Sequence, residues 1–437
     1  MARIYTGPIQ RALVLENPAS VLDTLLTDDG VDVTRLSNIP STTDLIDLMR
    51  TQRTQVIFKR SRTPVTRELV AACPDLLAVQ LCCIGDDSVD KQACADHGVL
   101  VFNDPVSNGR SVVELAIAHL ISLSRRLFET NPRCKDGHWD KNNTGRYEIL
   151  GKRIGILGLG NIGRAVARAC AALGMEVAFY DTRQVSRELG EELGWRHCDS
   201  IEQLFRTSDY VTVHVSAKDV DGHSNEAILS QSVLAQLGAD RPDNSPRIFL
   251  NLSRGFLHSA DALRAVVKSG QIRAAAVDVY PSEPKPGETW SNPYHDLPQI
   301  AVTPHIGAST QEAQPRIARR VSQTFGDFSH HGGIRDCVFR PRMRLNLSAD
   351  ITPGSVVLGV VHSTARGTKR AIDEAIYQAG ESNLSSVHRD FSHLGVAYDL
   401  ALMDHALEPR ELEGLVSAAA ESTGDANAIR SIRQIIL

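Results

Sequence analysis

The feature that most constrains this chain is a glycine pattern in its middle. Gly158-Leu-Gly160-Asn161-Ile162-Gly163 follows the apolar stretch Arg153–Leu157, opens a helix over about 161–173, and is answered by Asp181, 18 residues after Gly163 and just past a second apolar strand. Each part has a physical task. Gly158 permits the tight turn, Gly160 lets backbone approach a pyrophosphate, and Gly163 lets helix and strand pack closely. The helix N-terminus offers free N–H groups and a positive dipole end to the phosphates. Asp181 can accept hydrogen bonds from both ribose hydroxyls and would repel a 2′-phosphate, which favours NAD over NADP, although Arg183 close by pulls the other way. Glycines also serve ordinary turns; the flanking strand, helix and acid make this a dinucleotide site.

Around that site the pattern is α/β. Strand-like runs at 210–215, 247–251, 274–277 and 300–303 continue the same unit. Upstream, 11–108 alternates short apolar runs (12–15, 21–26, 56–58, 66–72, 77–82, 99–103) with amphipathic stretches, as in a second doubly wound parallel sheet. Residues 111–127 read as one long helix with Val112, Leu115, Ala116, His119, Leu120 and Leu123 on one face. After a helix over about 311–328 and the basic run Arg340 to Arg344, the remainder reads β-α-β-β-α-β, a small ferredoxin-like domain. The expected division is 1–107 with 308–343, 108–307, and 344–437.

Three short stretches carry the chemistry: Asn-Leu-Ser-Arg254-Gly255, Asp278-Val-Tyr-Pro-Ser-Glu283-Pro, and Thr-Pro-His305-Ile-Gly307. Each lies in a loop after a strand-like run, where ligands bind in open α/β sheets. An imidazole at His305 can take a hydroxyl proton while hydride leaves the same carbon for a nicotinamide. Glu283 can orient that ring and balance its charge. Arg254 offers a planar fork for a carboxylate and a carbonyl oxygen gaining charge.

Composition narrows the partners. At 437 residues the chain suggests two to three domains. A net charge of −5 and a pI near 6.3 leave no electrostatic footprint for nucleic acid or acidic lipid, so a small-molecule substrate is expected. The first eighteen residues lack a signal-peptide pattern and no segment approaches about 20 consecutive apolar residues, so neither membrane nor export is expected and the default is cytoplasmic. The eight cysteines show no Cys-x-x-Cys pair or zinc-finger spacing; they read as reduced and mostly buried, with no metal expected.

The chain resembles the D-2-hydroxyacid dehydrogenases, most strongly over about 10–340. The matching residues include Arg60-Ser-Arg-Thr63, the run from Phe102 to Val112, Gly158 to Gly163, Tyr180-Asp181, Asn251 to Gly255, Asp278 to Pro284 and Thr303 to Ala313. The resemblance implies two Rossmann-like domains, the substrate domain interrupted by the NAD domain. It further implies that Arg254, Glu283 and His305 are catalytic and that Asp278 lies near the nicotinamide amide. Asn108 and the Gly85 loop would line the substrate side, Arg60, Ser61 and Arg62 would face a substrate phosphate, and Lys141 would add charge from a neighbouring subunit of a homotetramer. The expected reaction is NAD-dependent oxidation of 3-phospho-D-glycerate. Another D-2-hydroxy acid such as 2-hydroxyglutarate, or a non-enzymatic NAD(H)-responsive role, are the alternatives.

Departures stand out. Asp86 puts a carboxylate beside Gly85, Ser216 replaces a usual proline, and 238–246 forms a longer loop. The tail is similar to an ACT-type domain, a resemblance that implies effector binding at His362, Thr364 and Asn383. Thr364 stands where the family has asparagine and Arg366 where it has proline, so weak or absent serine feedback is expected.

Overall fold

The computed structural model describes residues 2–219, 222–284, 288–339, 342–347, 351–380 and 383–437. They form two compact units, Asn108–Ala313, and Met1–Ser107 with Gln314–Leu437.

Asn108–Ala313 is built on a seven-stranded parallel sheet. Its order is Ile300–Val302, Ala274–Val277, Ile248–Asn251, Tyr210–Val213, Arg153–Leu157, Glu176–Tyr180, Arg196–His197. Central strands such as Tyr210–Val213 and Ile248–Asn251 are buried throughout, which is why they read as apolar runs without alternation. From Arg153–Leu157 the chain builds outward on one side and then returns to build on the other. The crevice at the carboxyl ends of the strands opens at that reversal.

The expected single helix over 111–127 is two. Gly109–Ser124 stops, Arg126 takes φ 55°, and Leu127–Lys135 starts in a new direction. No glycine or proline marks the break. It is set by contacts: Tyr147 donates its backbone N–H to Ser124 O at 2.8 Å, and the Arg126 side chain donates to Glu129 and to the Thr144 carbonyl.

The other unit holds two sheets. The first is parallel, in the order Asp32–Arg35, Arg11–Val14, Val56–Lys59, Ala78–Leu81, Leu100–Phe102. The second belongs to the C-terminal segment. Val356–Ser363, Asn383–Phe391, Val396–Met403 and Ile429–Ile436 with helices Thr368–Gln378 and Pro409–Thr423 give the β-α-β-β-α-β order in an antiparallel sheet. One face, with Val356, Leu358, Val360, Ala401 and Met403, packs on Ile372, Ile376, Leu412 and Leu415 of the helices. The opposite face, with Val357, Val361, Tyr398 and Leu400, joins the core of the first sheet.

The sequence groups residues 1–107 together, and here the structure differs. Arg3–Thr6 is not part of the first sheet but pairs in parallel with Ile429–Ile436. Its buried Arg3 guanidinium meanwhile donates to the carbonyls of Val70, Cys73 and Leu76 at 2.6 to 2.7 Å. The strand's backbone thus serves one sheet while its side chain caps a helix end beside the other. Gly98, at φ 69°, makes a close approach necessary for this packing, since a Cβ there would meet Ser431 Oγ at 2.6 Å. Arg433 stacks over the Phe328 ring, 3.9 Å from its centroid.

Six of the eight cysteines are buried and none is in a disulfide. Burial pushes the Cys94 and Cys170 thiols up to about 12, which leaves them unreactive. Among the described residues no helix is long and apolar enough to cross a membrane.

Candidate active site

The glycine loop ends Arg153–Leu157 at the reversal point. Gly158 has φ 91°, and a Cβ there would sit 2.6 Å from His214 O; at Gly163 it would sit 2.0 Å from Gly158 O. Gly160 is different. It caps the helix Asn161–Ala172, and the nearest atom to an added Cβ is Arg183 Nη2 at 3.6 Å. Two glycines are therefore demanded by the fold, and the third leaves bare backbone beside a helix N-terminus, the cradle that a pyrophosphate needs.

Asp181 is buried with its carboxylate turned into this loop. Oδ2 accepts from Leu159 N at 2.7 Å, and Oδ1 accepts from Arg183 N at 2.8 Å and Nε at 3.0 Å. Burial alone would push its carboxyl up, yet the Arg183 side chain and these backbone N–H groups hold it below the ordinary carboxylate value. It is a firm anion at neutral pH.

Three neighbouring strands supply the reacting groups. Asn251, Val277 and Val302 stand level across the sheet, and Arg254, Glu283 and His305 lie in the loops directly beyond them. His305 Nδ1 is 2.9 Å from both Glu283 oxygens, which leaves Nε2 as the nitrogen for proton exchange. His305 itself has φ 55°, uncommon for a residue with a side chain. Asp278 holds it there. Buried below the loop, Asp278 accepts from Thr303 Oγ1 at 2.6 Å, Ile306 N and Gly307 N at 2.9 Å each. The residue assigned to the nicotinamide amide thus has its oxygens on the His305 loop.

Arg254 is positioned by what surrounds it. Asn251, fully buried, donates from Nδ2 to Arg254 O at 2.9 Å, and its Oδ1 accepts from Ser253 N at 3.1 Å. Gly255 lies so close to Tyr280 that a Cβ would fall 2.0 Å from the Tyr280 backbone. The Arg254-Gly255 pair is therefore one device: the glycine admits the chain and the arginine takes the place this creates.

In the other unit, Arg60 is half-buried and Ser61 and Arg62 exposed, past the strand Val56–Lys59. Two groups that sequence reading passed over build this loop. Buried Lys59 donates to Arg60 O at 2.9 Å and Ser88 Oγ at 2.7 Å, and Glu16, at φ 64°, accepts from Arg62 N at 2.9 Å and Thr63 N at 2.5 Å. A lysine closing the apolar run Val56–Phe58 was the available signal. Asp86, the unexpected acid beside Gly85, pairs with Lys91 at 3.0 Å, which offsets its charge. Ser216 closes a turn, donating to Lys218 O at 2.5 Å.

Residues 117–307 match the family described as D-isomer specific 2-hydroxyacid dehydrogenase, NAD binding domain. The D-3-phosphoglycerate dehydrogenase of Haemophilus influenzae is 36% identical over 287 residues, 65% of this chain and 67% of that protein. D-3-phosphoglycerate dehydrogenase 2 of Saccharomyces cerevisiae is 31% identical over 399 residues, 89% of this chain and 81% of that one. The chain belongs to the D-isomer-specific 2-hydroxyacid dehydrogenases. A solved structure of a glyoxylate reductase from Paecilomyes thermophila shares the fold, with a TM-score of 0.65 at 23% identity over 76% of this chain and 98% of its own. As a member of this family the protein is an oxidoreductase that uses NAD.

The remaining expected residues of this dehydrogenase are scattered. Asn108 stands just before the helix Gly109–Ser124 without capping it, and its Oδ1 is buried with no hydrogen-bond partner among the described residues, as suits a group awaiting a ligand. Lys141 lies exposed in an irregular stretch. His362 and Thr364 lie at one end of the C-terminal sheet, His362 opposite Ala397, whereas Asn383 pairs with Met403 at the other end. Six residues of strand separate those partners, roughly 20 Å, so His362 and Asn383 of one chain do not form a common site.

Proposed function

We propose that this dehydrogenase oxidises 3-phospho-D-glycerate to 3-phosphohydroxypyruvate with NAD, the step that commits carbon to L-serine. The observation that carries the reading is the His305–Glu283 contact, at the end of the sheet where Arg254 follows a neighbouring strand, within a chain whose curated relatives include D-3-phosphoglycerate dehydrogenases. Bare backbone at Gly160, the helix N-terminus and the Asp181 anion fit NAD. Held there, NAD would supply the acceptor for the hydride that leaves C2.

The protein's own residues do the rest. His305 Nε2 takes the C2 hydroxyl proton as the C2–H bond breaks and the carbonyl forms. Glu283 balances the imidazolium, and Asp278 keeps the loop in its left-handed conformation. Arg254 holds the substrate carboxylate and the oxygen that becomes the carbonyl. Asn108 and the Gly85 loop orient the acid, and Arg60 and Ser61 bind the phosphate, whose two negative charges need cations that a plain hydroxy acid does not. Asp86 is turned to Lys91 at 3.0 Å, which weakens the main reason to prefer 2-hydroxyglutarate.

The C-terminal segment is an ACT-like assembly domain, weak or silent towards serine because Thr364 and Arg366 stand where the family has asparagine and proline, and a single hydroxyl cannot hold both ends of an amino acid as an amide can. The enzyme works in the cytoplasm as a homotetramer, Lys141 reaching the site of a neighbour. The test is a substrate screen with NAD, following NADH. Turnover of 3-phospho-D-glycerate well above that of 2-hydroxyglutarate and D-lactate is expected; a preference for an unphosphorylated acid contradicts the substrate assignment.

A further inference from the structure

Away from the dehydrogenase machinery, three strands of the C-terminal sheet bring His362, His388 and Asp399 together. Asp399 stands directly across from His388 on one neighbour and from Val360 on the other, two residues from the partner of His362. All three side chains thus emerge on the same, helix-covered face. His362 and Asp399 are 2% and 3% exposed, and His388 is half-buried.

Each imidazole has one nitrogen committed elsewhere. His362 Nδ1–H donates to Ser363 O at 2.8 Å, and His388 Nε2–H donates to Asp390 Oδ1 at 3.0 Å. That assignment leaves lone pairs on His362 Nε2 and His388 Nδ1. These two atoms and Asp399 Oδ1 are buried without a hydrogen-bond partner among the described residues, and ligand atoms of the three lie within 4.8 Å of one another. Burial keeps His362 below its ordinary pKa, hence neutral. Three neighbouring buried acceptors with no donor are costly. Protonating His388 would not cure this: its Nδ1 is 3.8 Å from Asp399 Oδ1, too far for a hydrogen bond, and His362 would still lack a donor.

We propose that His362, His388 and Asp399 bind a divalent first-row transition-metal ion of the zinc type, with a further position left for water or a small ligand. Two imidazoles and one carboxylate are a donor set for such ions. The engaged far nitrogens are the second layer that fixes ligating histidines elsewhere. Two ligands on a tetrahedral ion stand about 3.3 Å apart, given bonds of about 2.0 Å, so the three ligand atoms, now within 4.8 Å of one another, must draw together, His388 moving toward Asp399 from 3.8 Å. His388 lies on the edge strand of the sheet, where such a shift is easiest. Lys369 Nζ, 2.9 Å from Asp399 Oδ2 and also paired with Asp373, occupies the second carboxylate oxygen and leaves Oδ1 available. Its positive charge weakens the site without blocking it. No sequence spacing announces the site, because 26 and 11 residues separate the ligands and only sheet register unites them.

The test uses the full-length protein stripped with a chelator and titrated with cobalt(II) chloride. Expected are visible d–d bands saturating at one equivalent per chain, displaced by zinc(II), and a rise in the melting midpoint with zinc(II). His388→Ala and Asp399→Asn should each lower cobalt affinity more than about tenfold, Asp390→Asn about tenfold, and Lys369→Gln should raise it. His388→Ala, at a half-buried edge position, carries the test if Asp399→Asn fails to fold. Absence of the cobalt spectrum in the parent protein overturns the proposal, and so does binding unchanged in His388→Ala. Turnover is not the readout, so the result stands apart from the substrate assignment.

Discussion

His305 gives its Nδ1 to the two oxygens of Glu283, whereas His362 gives its Nδ1 to the carbonyl of Ser363. The first ring is half exposed on a loop beyond a parallel strand; the second is buried in an antiparallel one. A carboxylate partner stabilises a positive imidazole, so His305 can gain and lose a proton during a reaction. A neutral carbonyl in a buried setting does not, so His362 offers only a lone pair. For these two rings, the partner of Nδ1 together with burial decides whether the imidazole can carry a positive charge.

The harshest way to break that contrast is Glu283→Gln, which gives His305 a neutral partner like that of His362. The expected loss in kcat is roughly 100-fold or more, read in steady-state kinetics, with cobalt uptake by the C-terminal sheet unchanged. Arg60→Ala should act on the substrate alone. Losing charge-assisted hydrogen bonds of about 1.5–3 kcal/mol raises KM for 3-phospho-D-glycerate roughly 10- to 100-fold, while an unphosphorylated D-2-hydroxy acid is little affected.

Asp278→Asn sharpens the difference between loop and strand. His305 depends on Asp278 to hold φ 55°, whereas His362 is fixed by the ladder of its strand. The substitution should lower stability by about 1–3 kcal/mol in chemical denaturation and reduce kcat with little change in NADH affinity. The smallest effect concerns Asp181. Its carboxyl is held below the ordinary 3.8 in the folded state, so its contribution to stability is complete above that value and is lost as pH falls through the lower folded one. Asp181→Asn should therefore narrow the difference in melting midpoint between neutral and strongly acidic solution.

Much of this was legible in the sequence because its signals are local. Gly158, Gly163 and Gly255 are required by backbone approaches within one loop or between adjacent strand ends, and Arg254, Glu283 and His305 each follow a strand by a few residues. What escaped depends on distant partners. Arg3–Thr6 is a four-residue edge strand whose partner lies at the other end of the chain. The helix break at Arg126 carries no glycine or proline and is made by Tyr147 and Thr144. Asn383 pairs with Met403, at the opposite end of the sheet from His362, a placement set by strand register that sequence spacing does not show. The role of Asp278 as an anchor, and the meeting of His362, His388 and Asp399, follow from hydrogen-bond geometry and register that no spacing encodes.

The most direct measurement is His305→Asn in the full-length enzyme, with NADH affinity by fluorescence titration and turnover of 3-phospho-D-glycerate on the same preparation. The expected result is NADH binding within about twofold of the parent and kcat reduced roughly 1,000-fold or more. Turnover within about tenfold of the parent, with NADH binding intact, would contradict the assignment of His305 as the base.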